Sequence, residues 1–423
     1  MTNYPNVFRV LQHFDNPQLH DIPGEVELQL SRLSLGETIG PGETVAITAG
    51  SRGIANIQYV IRAIVDHLKR LGANPFIVPA MGSHGGGTAK GQQKLIESYG
   101  ITESFCRCPI RTDMSTVIIC NSAEGFPVHF DAHAHAADHV IVCNRIKPHS
   151  LFTGDHESGL MKMMLIGLGK KNGAYIYHRA IQDYTFEQIV RSVGECVLDQ
   201  CNILGGLAIV ENAYDETARL EAVLPEDFAH REQQLLVQAR QWMPRLPFGD
   251  VDVLVIDEIG KRISGTGMDT NVIGRKPAEE LPGQELPRVK NVVVLRLRPD
   301  SYGNACGIGR ADFTTERVVD AMDRQVTWIN CLTGADIESG KTPVHLPTDR
   351  ATIEAALVQI GLVEPADARV IWIENTLLLE NVACSATYQN EAQQRSDLEI
   401  LSSPRPFPFD GEGNLAGVRE FEN

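Results

Sequence analysis

Residues 44–88, TVAITAGSRGIANIQYVIRAIVDHLKRLGANPFIVPAMGSHGGGT, contain two strand–loop–helix units in succession. The apolar TVAIT predicts a strand, AGSRG its loop, and residues 54–71 carry apolar side chains at helical spacing. Residues 74–79 (NPFIVP) predict the next strand, and Thr88 predicts the N-cap of a helix over residues 89–99. This alternation predicts a parallel sheet with helices on both faces.

The same pattern continues along the chain. Further strands are predicted at 26–30, 117–120, 139–143 and 206–210, with a helix at 186–201. Residues 215–250 are typical of a polar, helical connector that ends in the proline- and glycine-rich MPRLPFGD. Beyond it, strands are predicted at 251–256, 291–297, 326–330 and 369–373, and helices at 315–322 and 349–360.

The predicted fold class is therefore α/β: two α/β domains with mostly parallel sheets and an active-site cleft between them. Residues 1–245 form the predicted N-terminal cofactor-binding and catalytic domain, joined by the tail 403–423. Residues 250–402 form the C-terminal domain that closes the cleft.

Composition excludes several classes of protein. With 423 residues and a net charge of −16, the chain lacks the basic stripe of a nucleic-acid-binding protein. It has no stretch approaching the roughly 20 apolar residues of a membrane span, and its N-terminus does not resemble a secretory signal. Nine cysteines without a C-x-x-C pair predict reduced thiols and a cytoplasmic location. Cys106 and Cys108 are either ligands of a soft metal or small apolar residues.

Three loops follow predicted strands and should meet at one edge of the sheet, where α/β proteins bind ligands. They contain Arg52 (AGSRG), His84 (GSHGGGT) and His149 (NRIKPHS). Gly85 and Gly86 would let backbone N–H groups approach an anion, although glycines also shape simple turns. A histidine at this edge can exchange a proton near neutral pH.

Two further sites carry alternative interpretations. Lys162 lies in the apolar run LMKMMLI, where lost solvation favours its neutral, nucleophilic form, unless its ammonium reaches the surface. His133 and His135 form an H-x-H pair that could serve a zinc- or iron-dependent hydrolase or lyase, if that segment is extended.

The loop 257–275 in the second domain is rich in polar residues, and it is either a binding loop or solvated surface. Its candidate substrate-binding residues are Lys261, Thr266, Asp269 and Asn271. Because buried unpaired polar groups cost about 1–3 kcal/mol each, this loop predicts a substrate with a polar tail, such as a dicarboxylate or sugar acid.

The chain resembles the nickel-dependent lactate racemase family of 2-hydroxyacid racemases and epimerases. The motifs that carry the resemblance are TAGSRG, GSHGGGT, KPHS, SGLMK and YIYH. The resemblance implies an isomerase with a nickel pincer nucleotide, a pyridinium-3-thioamide-5-thiocarboxylic acid mononucleotide that holds nickel. It also implies reversible hydride transfer from substrate C2 to this cofactor. The implied partners are a small 2-hydroxy acid and the enzymes that make the cofactor, with no nucleic acid and no membrane.

By motif, the resemblance assigns the tethering lysine to Lys162 and the nickel ligand to His178, sixteen residues later as in the family. It assigns the two acid–base residues to His84 and His149. Arg52 would bind phosphate or the substrate carboxylate. Gly85 and Gly86 would contact the cofactor. Two features depart from the family: Ala49 replaces an acidic residue, and the segment between His149 and Lys162 is longer. Lys170 and Lys171 compete with Lys162 but lack its spacing from His178. A non-catalytic binding homologue is the remaining alternative.

Overall fold

The computed structural model describes residues 4–51, 53–277 and 286–421. The chain forms two compact units. One is Asp15–Met243, called here the 15–243 unit. The other comprises Pro244–Asn423 together with Met1–Phe14, and is called the 244–423 unit.

The strands and helices are numbered along the chain. The strands are β1 (Val7–Gln12), β2 (Thr44–Ala49), β3 (Asn74–Pro79), β4 (Thr116–Asn121), β5 (Pro127–Asp131), β6 (His139–Arg145), β7 (Ile203–Glu211), β8 (Thr217–Val223), β9 (Asp250–Ile259), β10 (Arg288–Leu297), β11 (Phe313–Thr315), β12 (Val344–Leu346), β13 (Val370–Ile373), β14 (Asn381–Ser385) and β15 (Leu398–Ile400). The helices are α1 (Ile22–Ser31), α2 (Ile57–Arg70), α3 (Ala89–Ser98), α4 (Glu103–Cys106), α5 (Ala132–His135), α6 (Gly159–Lys162), α7 (Lys170–Ala180), α8 (Phe186–Gln200), α9 (Phe228–Trp242), α10 (Glu316–Ala321), α11 (Arg324–Thr333), α12 (Asp349–Val358) and α13 (Gln389–Gln394).

The 15–243 unit contains a five-stranded sheet in the order β3-β2-β6-β7-β8. The first four strands are parallel, and β8 is antiparallel to β7. Central strand β2 is buried along nearly its whole length because it has neighbours on both sides and helices over the sheet. Strands β4 and β5 form a separate antiparallel hairpin. The mostly parallel α/β fold predicted from the sequence is confirmed.

Helix α2 shows how the sequence pattern becomes packing. Val60, Ile61, Ile64 and Leu68 recur at helical spacing, and all four are fully buried. Burying each such side chain contributes about 1.5–3 kcal/mol relative to leaving it in water. Helix α3 begins as predicted, because the Thr88 hydroxyl accepts a hydrogen bond from the Gly91 amide at 3.1 Å.

Lys162 is the last residue of α6, and a π-helical turn, Met163–Gly167, follows it directly. Helix α7 begins three residues after that turn. Isolated π-turns are frequent at functional sites, and they displace side chains from the register of a regular helix. The segment that carries Lys162 and His178 is therefore irregular in its middle.

The 244–423 unit is built on an eight-stranded sheet in the order β12-β11-β10-β9-β13-β14-β1-β15. The five strands from β12 to β13 are parallel, whereas β14, β1 and β15 are antiparallel to their neighbours. Residues 1–14 and the tail were predicted to belong with the first domain, and the structure places both in this unit instead. Strand β1 pairs with β14 and β15, and Phe407, Leu415, Val418 and Phe421 pack in the same core as Trp372.

Two predicted strands are helices. Residues 26–30 lie in α1, where the Asp21 carboxylate accepts a hydrogen bond from the Gly24 amide at 2.9 Å. Residues 326–330 lie in α11, which the Asp323 carboxylate caps at the Val326 amide, at 3.0 Å. Caps of this kind satisfy the unpaired amides of a first turn and override the strand preference of short apolar runs. The predicted helical connector also contains a strand, β8.

Cysteines Cys120 and Cys196 form a disulfide between β4 and α8, so the prediction of nine reduced thiols is wrong for these two. The two cysteines are 76 residues apart in sequence, and the fold places their Cα atoms 6.8 Å apart. Cys106 and Cys108 are buried, and burial raises their thiol pKa values to about 11 and about 12. Thiols with such pKa values stay protonated at neutral pH, which favours the interpretation of this pair as small apolar residues.

Within the described ranges, no helix combines the length and the apolar character that a bilayer crossing requires.

Candidate active site

The loops after β2, β3 and β6 lie at one edge of the 15–243 sheet, since these strands are parallel neighbours. They contain Ser51, His84 and His149, respectively. His84 is exposed, and its Nδ1 is hydrogen-bonded to the hydroxyl of Ser51. The Tyr99 hydroxyl in turn donates to the carbonyl of Ser51 at 2.7 Å. The structure thus joins two of the three predicted loops through the His84 ring.

The loop after His84 depends on glycine. Gly85, Gly86 and Gly87 have φ angles of +64°, +70° and +62°, in the left-handed region that side chains with a Cβ rarely adopt. A Cβ on Gly86 would meet no atom within 4 Å, so open space lies beside it. A Cβ on Gly87 would lie 3.0 Å from the Lys171 side chain. The loop therefore exposes backbone N–H groups close to the cationic side chain of Lys171. Both features suit the binding of an anionic ligand.

His149 is held by its backbone and by one ring nitrogen. Its amide donates to the buried carboxylate of Glu157 at 2.7 Å. Its Nδ1 accepts from the amides of Leu151 at 3.1 Å and Phe152 at 3.3 Å. Because Nδ1 acts as an acceptor, the proton of the neutral ring lies on Nε2. This arrangement fixes both the tautomer and the orientation of the ring.

An aromatic stack connects His149 to Lys162. The His149 and Phe152 rings stack with centroids 4.5 Å apart, and Phe152 stacks on Phe186 at 4.1 Å. The Lys162 ammonium lies 5.1 Å from the Phe152 centroid and 5.4 Å from that of Phe186. Aromatic faces attract a cation, so the two rings position the lysine while keeping it out of bulk water.

His178 lies near Lys162, and its surroundings keep it neutral. Burial lowers the pKa of His178, and the positive charge of Lys162 lowers it further. Its Nδ1 is buried and has no hydrogen-bond partner among the residues that the structure describes. Buried polar atoms are nearly always satisfied, so a buried imidazole nitrogen without a partner is a candidate for a metal ligand.

Residues 28–188 match the family model described as the lactate racemase N-terminal domain. This match covers His84, His149, Lys162 and His178. No curated protein matches the sequence. The solved structures that resemble the chain include the lactate racemase apoprotein from Thermoanaerobacterium thermosaccharolyticum, at 13% identity and a TM-score of 0.46, covering 81% of this chain and 98% of that one. A protein from Thermotoga maritima resembles it at 12% identity and a TM-score of 0.52, covering 85% and 97%. The second likeness supports the fold.

Of the two lysines that compete with Lys162, Lys170 has a structural role. It is fully buried, its ammonium forms an ion pair with Asp131 at 2.8 Å, and it donates to the Pro79 carbonyl at 2.5 Å. Because its ammonium is bonded to a buried carboxylate and a backbone carbonyl, Lys170 is not available to tether a cofactor. Lys171 is exposed beside the glycine loop.

His156, the other histidine of this segment, has both ring nitrogens engaged. Nδ1 is hydrogen-bonded to Glu187 at 2.9 Å and Nε2 to the Ala229 carbonyl at 2.9 Å. The ring is therefore a double donor, and although its burial opposes the charge, its hydrogen bond to Glu187 leaves the pKa raised. A protonated imidazole has no lone pair for a metal.

His133 and His135 lie in the short helix α5 and not in a strand. In a helix, residues two apart project about 200° from each other, so the pair cannot converge on one ion. No group of three or more metal-binding side chains occurs in the described ranges. The hydrolase interpretation therefore loses its structural basis.

Sequence reasoning missed three groups that support the site. Phe152 and Phe186 form the stack under Lys162, and Glu157 binds the His149 amide while forming an ion pair with Arg240 at 2.8 Å. The only signal for Glu157 was its place in the lengthened segment before Lys162. Arg52, the predicted anion-binding residue, lies outside the described residues.

The candidate substrate residues of the 244–423 unit bond to their own loop. Lys261 donates to the Gly265 carbonyl, and the Thr266 hydroxyl donates to the Met268 carbonyl at 2.8 Å. Both the amide and the side chain of Asn271 donate to Asp269, at 2.9 and 2.8 Å. Because the loop already provides these partners, its composition gives no argument for a polar-tailed substrate.

Proposed function

We propose that this protein is a racemase or epimerase of 2-hydroxy acids that binds a nickel pincer nucleotide on Lys162. The observation that carries the proposal is the buried, unpartnered Nδ1 of His178 in the neighbourhood of Lys162, within a lactate racemase N-terminal domain.

The residues present fit such a group. A neutral imidazole suits nickel(II), which favours nitrogen donors in square-planar sites. The Lys162 ammonium lies over the Phe152 ring, which partly shields it from water. Its positive charge lowers the pKa of His178 and so favours the neutral imidazole. The loop Gly85–Gly87 offers exposed backbone for a phosphate. Lys162 would tether the nucleotide, His178 would bind its nickel, and Gly85 and Gly86 would contact its phosphate, with Arg52 as a further candidate. When bound, the nucleotide would supply the hydride acceptor.

The acid–base chemistry belongs to His84 and His149. Removing a hydride from the carbon of a secondary alcohol requires a base for the hydroxyl proton, within hydrogen-bond reach of the oxygen. Inversion requires proton transfer on each face of the substrate carbon, and two histidines on separate loops of one sheet edge meet this requirement. For His149, the amides of Leu151 and Phe152 occupy Nδ1, so Nε2 is the nitrogen that would exchange the proton.

The Ser51 hydroxyl and His84 Nδ1 give the second base a matching arrangement. A hydroxyl that donates to Nδ1 would likewise leave the ring proton on Nε2. Both histidines are then oriented by bonds to Nδ1, through amides in one case and a hydroxyl in the other.

The test is the intact mass and nickel content of the chain after coexpression with the enzymes that make the cofactor. We expect one covalent adduct that peptide mapping places on Lys162, with stoichiometric nickel. Lys162→Arg should lose both, and the matched variant Lys171→Arg should retain both. An unmodified, nickel-free wild-type chain would contradict the proposal and favour a non-catalytic homologue.

Activity is then measured on lactate, malate, gluconate and related acids, following the configuration at C2. We expect interconversion of the two C2 configurations for at least one of these acids. The loaded chain turning over none of them would contradict the proposed reaction while leaving the cofactor assignment intact.

A further inference from the structure

Helix α11 of the 244–423 unit exposes large apolar side chains and buries small ones. Its buried positions are Thr327 and Cys331. Its exposed large side chains are Val326 (41%), Trp328 (51%), Ile329 (65%) and Leu332 (68%). A surface helix of a globular protein normally has the opposite arrangement, with its apolar stripe toward the core. The sequence pattern of α11 therefore indicates a second surface that covers it.

The exposed face is continuous and uncharged. At 3.6 residues per turn, the four apolar side chains fall within an arc of about 160°. Only Gln325 and Thr333 interrupt this arc with polar groups, and residues 325–335 contain no ionisable acid or base. In a chain of net charge −16, such a neutral surface is where two copies can approach with least repulsion.

We propose that this face is a homodimer interface, in which α11 packs antiparallel against α11 of a second copy across a two-fold axis. Such isologous contacts are the commonest way in which soluble proteins assemble. Gln325, Trp328, Ile329 and Leu332 follow the i, i+3, i+4, i+7 spacing of a helix–helix seam.

Charge selects the antiparallel orientation. Arg324, at the start of the helix, is exposed and forms no ion pair within the described ranges. In an antiparallel pair it would meet the negative end of the partner helix. A parallel pair would instead place the two Arg324 side chains together.

The exposed apolar side chains are large. The four on the helix, and Ile337 (63% exposed) just beyond it, each leave about two fifths or more of their surface exposed. Exposed apolar patches on soluble proteins often mark interaction sites. A stable interface covers about 800 Å² on each partner, so the helix would form its apolar centre and its polar surroundings the rim.

The test is the mass of the full chain in solution at micromolar concentration, measured by light scattering after size exclusion. We expect twice 46.5 kDa for the wild type. Ile329→Glu and Leu332→Glu should give monomers, whereas Leu362→Glu, at an equally apolar and fully exposed turn position, should remain dimeric. Circular dichroism should show that all three variants keep the fold of the wild type, because these side chains face solvent in the single chain.

Orientation is tested by cross-linking. Ile329 lies at the middle of α11, so Ile329→Cys should form an intermolecular disulfide on oxidation, and Leu362→Cys should not. Gln325→Cys, near the start of α11, should form none in an antiparallel pair, and a disulfide there would show that the pair is parallel. A monomeric wild type would overturn the proposal. So would a dimer that survives both glutamate variants, or a chain that binds only an unlike protein through α11.

Discussion

Two histidines of the same segment, His156 and His178, show how surroundings decide the chemistry of a residue. His156 is bonded at both nitrogens and keeps a raised pKa, so it acts as a structural cation. His178 has a buried nitrogen without a partner in the described structure and a lowered pKa. The resemblance to the lactate racemase family assigned the nickel ligand to His178, and the contacts now give a physical reason for that choice.

Replacing each of these histidines separates the two roles. We expect His178→Ala to abolish nickel retention in chains coexpressed with the cofactor enzymes, because the ligand is removed. His156→Ala should retain nickel. Elemental analysis by mass spectrometry measures both, with thermal unfolding as the control for folding. Equal nickel loss in two folded variants would show that the ligand assignment is wrong.

Glu232 is a second residue whose pKa depends on burial. Burial raises its pKa from 4.5 to about 7, although its carboxylate accepts a hydrogen bond from the Met161 amide at 3.0 Å. The native state therefore binds a proton that the unfolded chain releases above pH 4.5. The contribution of Glu232 to the free energy of unfolding is therefore greatest below pH 4.5. It falls by about 3 kcal/mol as the pH rises through about 7, because the buried carboxyl must then lose its proton.

The Glu232→Gln variant keeps an acceptor for the Met161 amide but cannot ionise. We expect its free energy of unfolding, relative to the wild type, to rise between pH 5 and pH 8 in urea titrations. A constant difference across this range would mean that Glu232 titrates normally in the folded protein.

At the scale of elements, the sequence predicted those whose signals are local. Strands β2, β3 and β6 and the cap of α3 lie where alternation and Thr88 placed them. Residues 26–30 and 326–330 were assigned to strands because short apolar runs do not distinguish strand from helix. The same holds for the candidate site. Its histidines and its lysine could be predicted from sequence motifs, whereas the contact between Phe152 and Phe186 joins residues 34 positions apart and could not.

The glycine loop gives a prediction at this scale. Gly86→Ala should cost about 1 kcal/mol of stability, because φ is +70° but open space surrounds the new methyl group. Gly85→Ala should cost more, since its Cβ would also lie 2.6 Å from the Gln92 amide. Urea unfolding measures both. Equal losses would show that sterics at Gly85 relax freely.

At the scale of the molecule, the sequence does not indicate which of the two units contains β1. Strand β1 pairs Val7 with Ser385 and Val10 with Ile400, contacts that join the two ends of the chain. No periodicity in residues 1–14 identifies partners so distant. The predicted cleft between the domains, with His84 and His149 facing across it, stays a prediction.

Deleting residues 1–14 tests the role of β1. The deletion separates β14 from β15 and removes three fully buried side chains, Val7, Phe8 and Val10. We expect amide hydrogen exchange to accelerate strongly in β14 and β15 but to stay unchanged in β2, β3 and β6. Loss of protection in both units together would show that they unfold as one cooperative body.

The position of β1 also sets an order of events during synthesis. The ribosome makes β1 first, yet its neighbours begin at Asn381 and Leu398, about 370 residues later. At about 5–20 residues per second, β1 waits roughly 20 to 70 s for them. In that interval residues 15–243 have all emerged and can complete their own sheet. Until β14 and β15 appear, Val7, Phe8 and Val10 have no partners in their sheet, so the nascent chain offers a chaperone an apolar segment.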